Sequence, residues 1–480
     1  MAYSTISKAK SFFNTIKYSG TSSAATVTGV GFKPDLFWIK QNSGNQGHLI
    51  WDGIRGGNYY FPTASNAQSN ADVGTFTAAS DGYSLNTDAA YNGSGHTYVG
   101  YNWLMGGATP SQTYKVVVVS DSGNKYRFRN SADNATFGES AVTLDLQEGG
   151  TYTFDVSDST LNSHPFVIGT AANSSEYSTG VTYKLDGVTK TYSQYTSGFS
   201  SATSRQLIIT VPASAPALYY WCSQHSGMGG AINTNSTLGS TNFDGSKTSI
   251  VSANATSGCS LVKYTGTASN NSFGHGLSGK PDMIWMKPNA SGDWNIYHDF
   301  MSSQQRMKFN NTMAVASNAS IFQSLPDTTK VTLGTSGDAQ SDGGVGHLYC
   351  FKSVPGFSKM GHYTYNNSTD GNFIYCGFKP QFIMIKNTDN VENWYIIDTV
   401  RKQNVFNNTN DSFLMVNNNN DEDTVSASAN NVFIHLTSTG FKIRTANKDS
   451  GELAFQSRGY LYMAFGQPLV GSNNVPATAL

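Results

Sequence analysis

Lys33-Pro34-Asp35-Leu36-Phe37-Trp38-Ile39-Lys40 decides the fold, because it returns twice. The second copy is Lys280-Pro281-Asp282-Met283-Ile284-Trp285-Met286-Lys287, and the third is Lys379-Pro380-Gln381-Phe382-Ile383-Met384-Ile385-Lys386. Each run is apolar, rich in branched and aromatic side chains, and opens on a proline. Such a run reads as a buried β-strand, with the proline at its start, where a missing N–H costs least. Working outward, a tyrosine precedes each copy by about sixteen residues: Tyr18, Tyr264 and Tyr363. Asp52, Asp299 and Asp398 follow each closing lysine by twelve, and Arg55 and Arg401 follow by three more, where the second copy has Ser302. Each unit closes on an aromatic run, at Thr97–Tyr101, His347–Phe351 and Tyr460–Phe465.

This self-similarity predicts three homologous units, roughly 12–108, 245–354 and 355–470, with a domain-sized period. Turn signals such as Asp81-Gly82 and Thr439-Gly440 separate short strands. The second copy lacks an equivalent turn before its last strand. No stretch shows sustained helical periodicity with caps. The expected class is all-β: several β-sandwich, jelly-roll-like domains. The recurring Lys, Asp and Arg are read as strand-end pairs and turn caps of the shared fold, and no catalytic residue is assigned.

Composition agrees. Only 13% of the 480 residues are Asp, Glu, Lys or Arg, against ~25% in a typical soluble protein. Asn, Ser, Thr and Gly must therefore cover much of the surface. A net charge of −1 gives neither a nucleic-acid footprint nor a polybasic membrane surface. There is no apolar run long enough for a membrane helix, so membrane insertion is not expected. Met1-Ala2-Tyr3-Ser4-Thr5 does not begin a secretory signal. The sparse Cys222, Cys259, Cys350 and Cys376 do not form a disulfide framework and fit synthesis in a reducing cytoplasm.

Residues 112–232 stand apart from the repeat. They open on Tyr114-Lys115-Val116-Val117-Val118-Val119 and end Leu218-Tyr219-Tyr220-Trp221-Cys222-Ser223-Gln224-His225-Ser226-Gly227-Met228, with Ser163-His164-Pro165-Phe166 between. This segment resembles a cupredoxin, which implies a Greek-key sandwich. In that family an upstream His, a Cys ending a late aromatic strand, and a His and Met in the following loop bind copper. The resemblance therefore implies His164, Cys222, His225 and Met228 as ligands and copper as cofactor. Thiolate and two imidazoles with a weak axial thioether are a copper donor set.

Taken together, domains at 1–108, 112–232, 245–354 and 355–480 resemble virion structural proteins of marine tailed phages. The match includes the tail Gly466-Gln467-Pro468-Leu469-Val470-Gly471-Ser472-Asn473-Asn474-Val475-Pro476. The resemblance implies a non-enzymatic structural or adhesion protein on the exposed virion surface, assembled in the host cytoplasm, as a tail, fibre or capsid-decoration component. Its partners would be other virion proteins, further copies of the chain, with a trimer as first choice, and a host surface glycan or receptor held by exposed Tyr and Trp. Two rivals stand beside it. A glycan-degrading spike needs two carboxylates ~5–9.5 Å apart, and the acidic run here is Asp421-Glu422-Asp423 in an Asn-rich loop. A redox copper protein needs the four ligands above.

Overall fold

The structure is a computed structural model that describes residues 5–70, 77–368, 370–401, 410–426, 432–445 and 458–468. Residues 1–4 and most of the tail, from Leu469 on, lie outside them. The chain is all-β and built of two-sheet sandwiches.

The recurring run forms the same strand three times. Leu36–Gln41 lies between Thr97–Trp103 and Leu49–Asp52. Met283–Pro288 lies between Val345–Phe351 and Asn295–His298. Phe378–Asn387 lies between Gly459–Pro468 and Trp394–Asp398. In every unit the strand containing the early tyrosine pairs with the closing strand, so the large sheets share one order. Ile39, Met286 and Ile385 occupy one position: each sits one residue after the partner of Tyr101, Tyr349 or Met463. A smaller sheet covers one face of each large sheet. It has three strands in the first and third units and two in the second. The missing strand is the one that Asp81-Gly82 and Thr439-Gly440 turn back into the sheet.

Alternation along the strand sends side chains both ways. Phe37 and Ile39 face the small sheet, in a core with Tyr83 and Leu85. Leu36 and Trp38 face away from it, into a core shared by all three units. There Trp38 meets Trp285 edge-on at 5.9 Å, Trp103 meets Phe382 at 5.8 Å, and Phe351 meets Phe465 at 6.3 Å. Each of these contacts joins a different pair of units, and such aromatic pairs add to the area they bury.

Polar bonds between units follow one cyclic order. Trp294 Nε1 donates to Pro62 O at 2.8 Å, Trp394 Nε1 donates to Lys308 O at 2.7 Å, and His48 Nε2 lies 2.9 Å from Met415 O. Pro62, Lys308 and Met415 hold equivalent register positions. The backbone repeats the pattern: Gln68 N donates to Asn289 O, Val315 N to Thr388 O, and Glu422 N to Asn42 O. The three units therefore close into a ring with pseudo-threefold symmetry inside one chain.

The ring corrects one expectation. The second unit's hairpin is one residue shorter, so His298, not Asp299, stands opposite Met283 where Asp52 and Asp398 stand opposite Leu36 and Phe382. The residue matching Arg55 and Arg401 is then Met301, not Ser302. Asp299 instead pairs with Lys280 at the surface.

The closing lysines are more deeply placed than strand-end caps. Lys40, Lys287 and Lys386 are each fully buried and donate to backbone carbonyls of the loop that follows, including Gln41, Pro288 and Asn387. Burial pushes Lys40 and Lys287 down to about 8 and Lys386 to about 7.

The inserted segment is a sandwich of its own, with strands from Ser111 to Asn235 in a six- and a five-stranded sheet. Each sheet contains one parallel pair, Ser111–Ser120 with Thr151–Asp155 and Leu144–Gln147 with Gly230–Asn235. Its longest helix, Tyr192–Gly198, starts at a Thr191–Gln194 capping box. Ser240–Asn242 then adds a strand to the second unit's large sheet.

Candidate metal centre

Pairing of two strands brings two of the predicted ligands, His164 and Cys222, together. Phe166–Ala171 runs antiparallel to Leu218–Cys222, with Phe166 opposite Cys222. Ser223 N donates to Pro165 O at 3.1 Å, which extends the pairing past the strand ends. His164 is set just before this strand by a 3-10 turn at Ser159–Leu161, capped by Asp158, and its N–H bonds Leu161 O at 2.7 Å. His164 therefore lies beside Cys222 although they are 58 residues apart.

The loop after Cys222 returns His225 to the same place. Gly227 turns with φ +72°, donates to Asn173 Oδ1 at 2.9 Å and accepts from Lys125 Nζ. A Cβ on Gly229 would sit 1.7 Å from Tyr220 O, so only glycine lets the chain re-enter the sheet there. Met228, between them, is buried in the same core cluster as Cys222. Its carbonyl accepts from Tyr126 N at 2.9 Å, and Tyr126 Oη donates to His164 O at 2.9 Å.

Three donor atoms form a triangle. His164 Nδ1 and His225 Nδ1 are 3.0 Å apart, and Cys222 Sγ lies 3.9 Å from the first and 3.6 Å from the second. A point in the plane of such a triangle is about 2.1 Å from all three corners, the usual imidazole–metal distance, with thiolate slightly longer. These separations would let the three donors reach one ion, as a thiolate–diimidazole set requires. Cys222 is buried, His164 is 7% exposed and His225 is exposed. Burial, and then the neighbouring His225, hold His164 below the usual histidine pKa, which favours its neutral, metal-binding form.

The surrounding groups had no signal in the sequence. Asn124 Nδ2 lies 3.3 Å from His164 Nε2, and Lys125 and Asn173 brace the loop from two other segments. Their contribution follows from contact alone. The acidic run is used differently: Glu422 Oε2 accepts from Asn42 Nδ2 at 2.9 Å and Asp421 N donates to Asn45 Oδ1 at 3.1 Å, both across the joint between the third and first units. The Asp423 side chain lies outside the described residues.

Neither the curated proteins nor the solved structures yield a match to this chain. A family model described as Domain of unknown function (DUF7483) matches residues 8–128 and 191–468. Those stretches take in the three ring units together with Cys222, His225 and Met228, while His164 falls between them. With most of its length covered, the chain belongs to the DUF7483 family.

Proposed function

We propose that the chain is a non-enzymatic structural and adhesion protein of a virion surface, whose inserted sandwich holds one copper ion. The metal reading rests on the triangle of His164 Nδ1, His225 Nδ1 and Cys222 Sγ. Bound copper would supply a one-electron couple. The chain's own residues hold the donors. Strand pairing fixes Cys222 and His164, the Gly227 turn aims His225, and Tyr126 ties the loop to the His164 backbone.

The structural reading is supported by the ring. Three sandwiches share one core and are joined by bonds in cyclic order, an arrangement that suits a rigid surface element contacting other virion proteins and further copies of itself. The adhesion reading takes a host glycan as ligand. All seven tryptophans are buried, contrary to the expectation of exposed Trp, and among the described residues the large aromatics left exposed are Tyr59, Phe373 and Tyr375.

Titration of the reduced full chain with Cu(II) tests the metal reading. One equivalent should bind and produce an intense visible charge-transfer band. A colourless sample without copper by elemental analysis, with Cys222 shown to be reduced and reachable, would end it. Immunogold labelling of purified particles tests the virion reading, and unlabelled particles would refute it.

A further inference from the structure

We infer that the outward face of the third unit's small sheet is a binding platform for a neutral glycan, on which Phe373 and Tyr375 stack against successive sugar rings. The inference rests on the adhesion reading above and locates its site.

Phe373 and Tyr375 are 49% and 52% exposed. They lie on Asp370–Tyr375, a strand that among the described residues pairs only with Gly440–Thr445. Ile374 between them points into the core, so both rings leave the same face, about 7 Å apart along the strand. Two large aromatics at such exposure cost solubility and add nothing to the fold's own core.

The fold does not require them. Register against the neighbouring strand makes Val27, Phe273 and Ile374 equivalent, each opposite a buried residue: Tyr83, Val331 and Phe441. The outward neighbours of Val27 are Thr26 and Thr28, and those of Phe273 are Ser272 and Gly274. Ser272 and Gly274 lie under the Asn242–Ser246 segment: Ser246 N bonds Ser272 Oγ, and a Cβ on Gly274 would clash with Asn242. Thr26 and Thr28 are exposed as well, so the first unit's face is also open, but among the described residues the third unit alone places aromatic rings there.

The rest of the face suits a sugar better than a protein. Across the sheet Phe373 is followed by Lys442 and His435, and Tyr375 by Gly440 and Thr437. Their inward neighbours Phe441, Ile443, Ile434 and Leu436 are buried, so these residues share the rings' face. Two rings beside donors and acceptors offer stacking for the C–H face of a pyranose and hydrogen bonds for its hydroxyls. They do not provide the contiguous apolar centre of a protein interface. Lys442 pairs with Asp370 at 3.0 Å, which offsets its charge, while Lys359 donates to Tyr375 O with its Nζ 5.8 Å from that ring's centroid.

Native electrophoresis of the full chain in gels containing hydroxyethyl cellulose, laminarin, xyloglucan or galactomannan tests this. The wild type should be retarded by at least one polymer. Phe373→Ala/Tyr375→Ala should weaken retardation at least about tenfold, as loss of two stacking rings implies, without a change in melting temperature. Tyr375→Phe should retain it, and Thr26→Ala/Thr28→Ala in the first unit should have no effect. Equal retardation of wild type and double variant would overturn the platform while leaving glycan adhesion in place elsewhere. No retardation of the wild type in any gel would overturn the neutral-glycan assignment. The adhesion reading is decided separately, by whether antibody against the chain blocks attachment of particles. If the double variant lowers the mass seen in light scattering while retardation persists, the face is a contact between copies and the inference fails.

Discussion

Tyr101 of the first unit donates to Asp398 of the third at 2.8 Å, and the two are 297 residues apart. Tyr349 of the second unit donates to Asp52 of the first at 2.6 Å, across the same sequence separation. Each aspartate is fully buried and also holds an arginine three residues on, Arg401 or Arg55. The corresponding set at the second–third junction is His298, Met301 and Met463. Both methionines lie in the shared core, and burial pushes His298 down to about 3, so it is neutral. The ion pair and the tyrosine are thus replaced together by a neutral histidine and two methionines. That junction is also the one the chain ties directly, through the short segment between Phe351 and Ser358. A tether raises the effective concentration of the two units and lessens the need for a polar lock.

Arg55→Met alone should destabilise the protein by about 3–5 kcal/mol, because it leaves the Asp52 carboxylate buried without its counter-ion. The triple change Asp52→His, Arg55→Met and Tyr349→Met reproduces the uncharged set of the second–third junction and should cost less than Arg55→Met by itself. Guanidinium denaturation midpoints check this. Additive losses would show that the three positions do not act as a unit.

Trp38→Ala and Trp285→Ala should each cost about 3–5 kcal/mol, as for a fully buried aromatic. Both rings are buried, and they touch each other across the first–second junction. The double variant should therefore cost less than the two single losses added. Calorimetry with unchanged melting temperatures would contradict the shared core.

Stability should rise with pH between about 7 and 8.5, where buried lysines release protons that the unfolded chain still holds, at an unfolded pKa of ~10.4. The sign follows from direction: the folded pKa values of Lys40, Lys287 and Lys386 are lowered, so the unfolded state binds more protons in this window. Above it, the buried Cys259, Cys350 and Cys376, each pushed up to about 12, oppose the gain. Urea midpoints at the two ends of the window should differ in the wild type, and Lys386→Met should reduce the difference.

Copper should raise the melting temperature of the inserted sandwich, since binding to the native state alone adds to its stability. Cys222→Ser should remove both the visible band and the shift. Met228→Leu should keep the band and change the reduction potential, because the weak thioether ligand that the cupredoxin resemblance implies for Met228 would tune the ion without holding it. Spectra and calorimetry with and without a chelator read each effect.

Light scattering should find more than one copy of the chain per particle in solution, with a trimer expected from the phage-like resemblance. A monomer mass over a wide concentration range would count against it.

Much of this protein was legible in its sequence. Strand character, the three-fold repeat and the position of the insert follow from local patterns: apolar runs opened by proline, turn pairs, and spacing. The meeting of His164, Cys222 and His225 was expected from the cupredoxin resemblance alone, and the structure places these three side chains within reach of one another. Tertiary structure decided what spacing cannot count. A hairpin shorter by one residue moved the second unit's equivalent of Asp52 from Asp299 to His298, because register is set by hydrogen bonding across strands and not by distance along the chain. It also decided that Lys40, Lys287 and Lys386 are buried against loop carbonyls, that Tyr101 reaches Asp398, and that Asn124 adjoins His164. Those contacts join segments far apart in sequence, and only closure of the ring and packing of the sandwich bring them together.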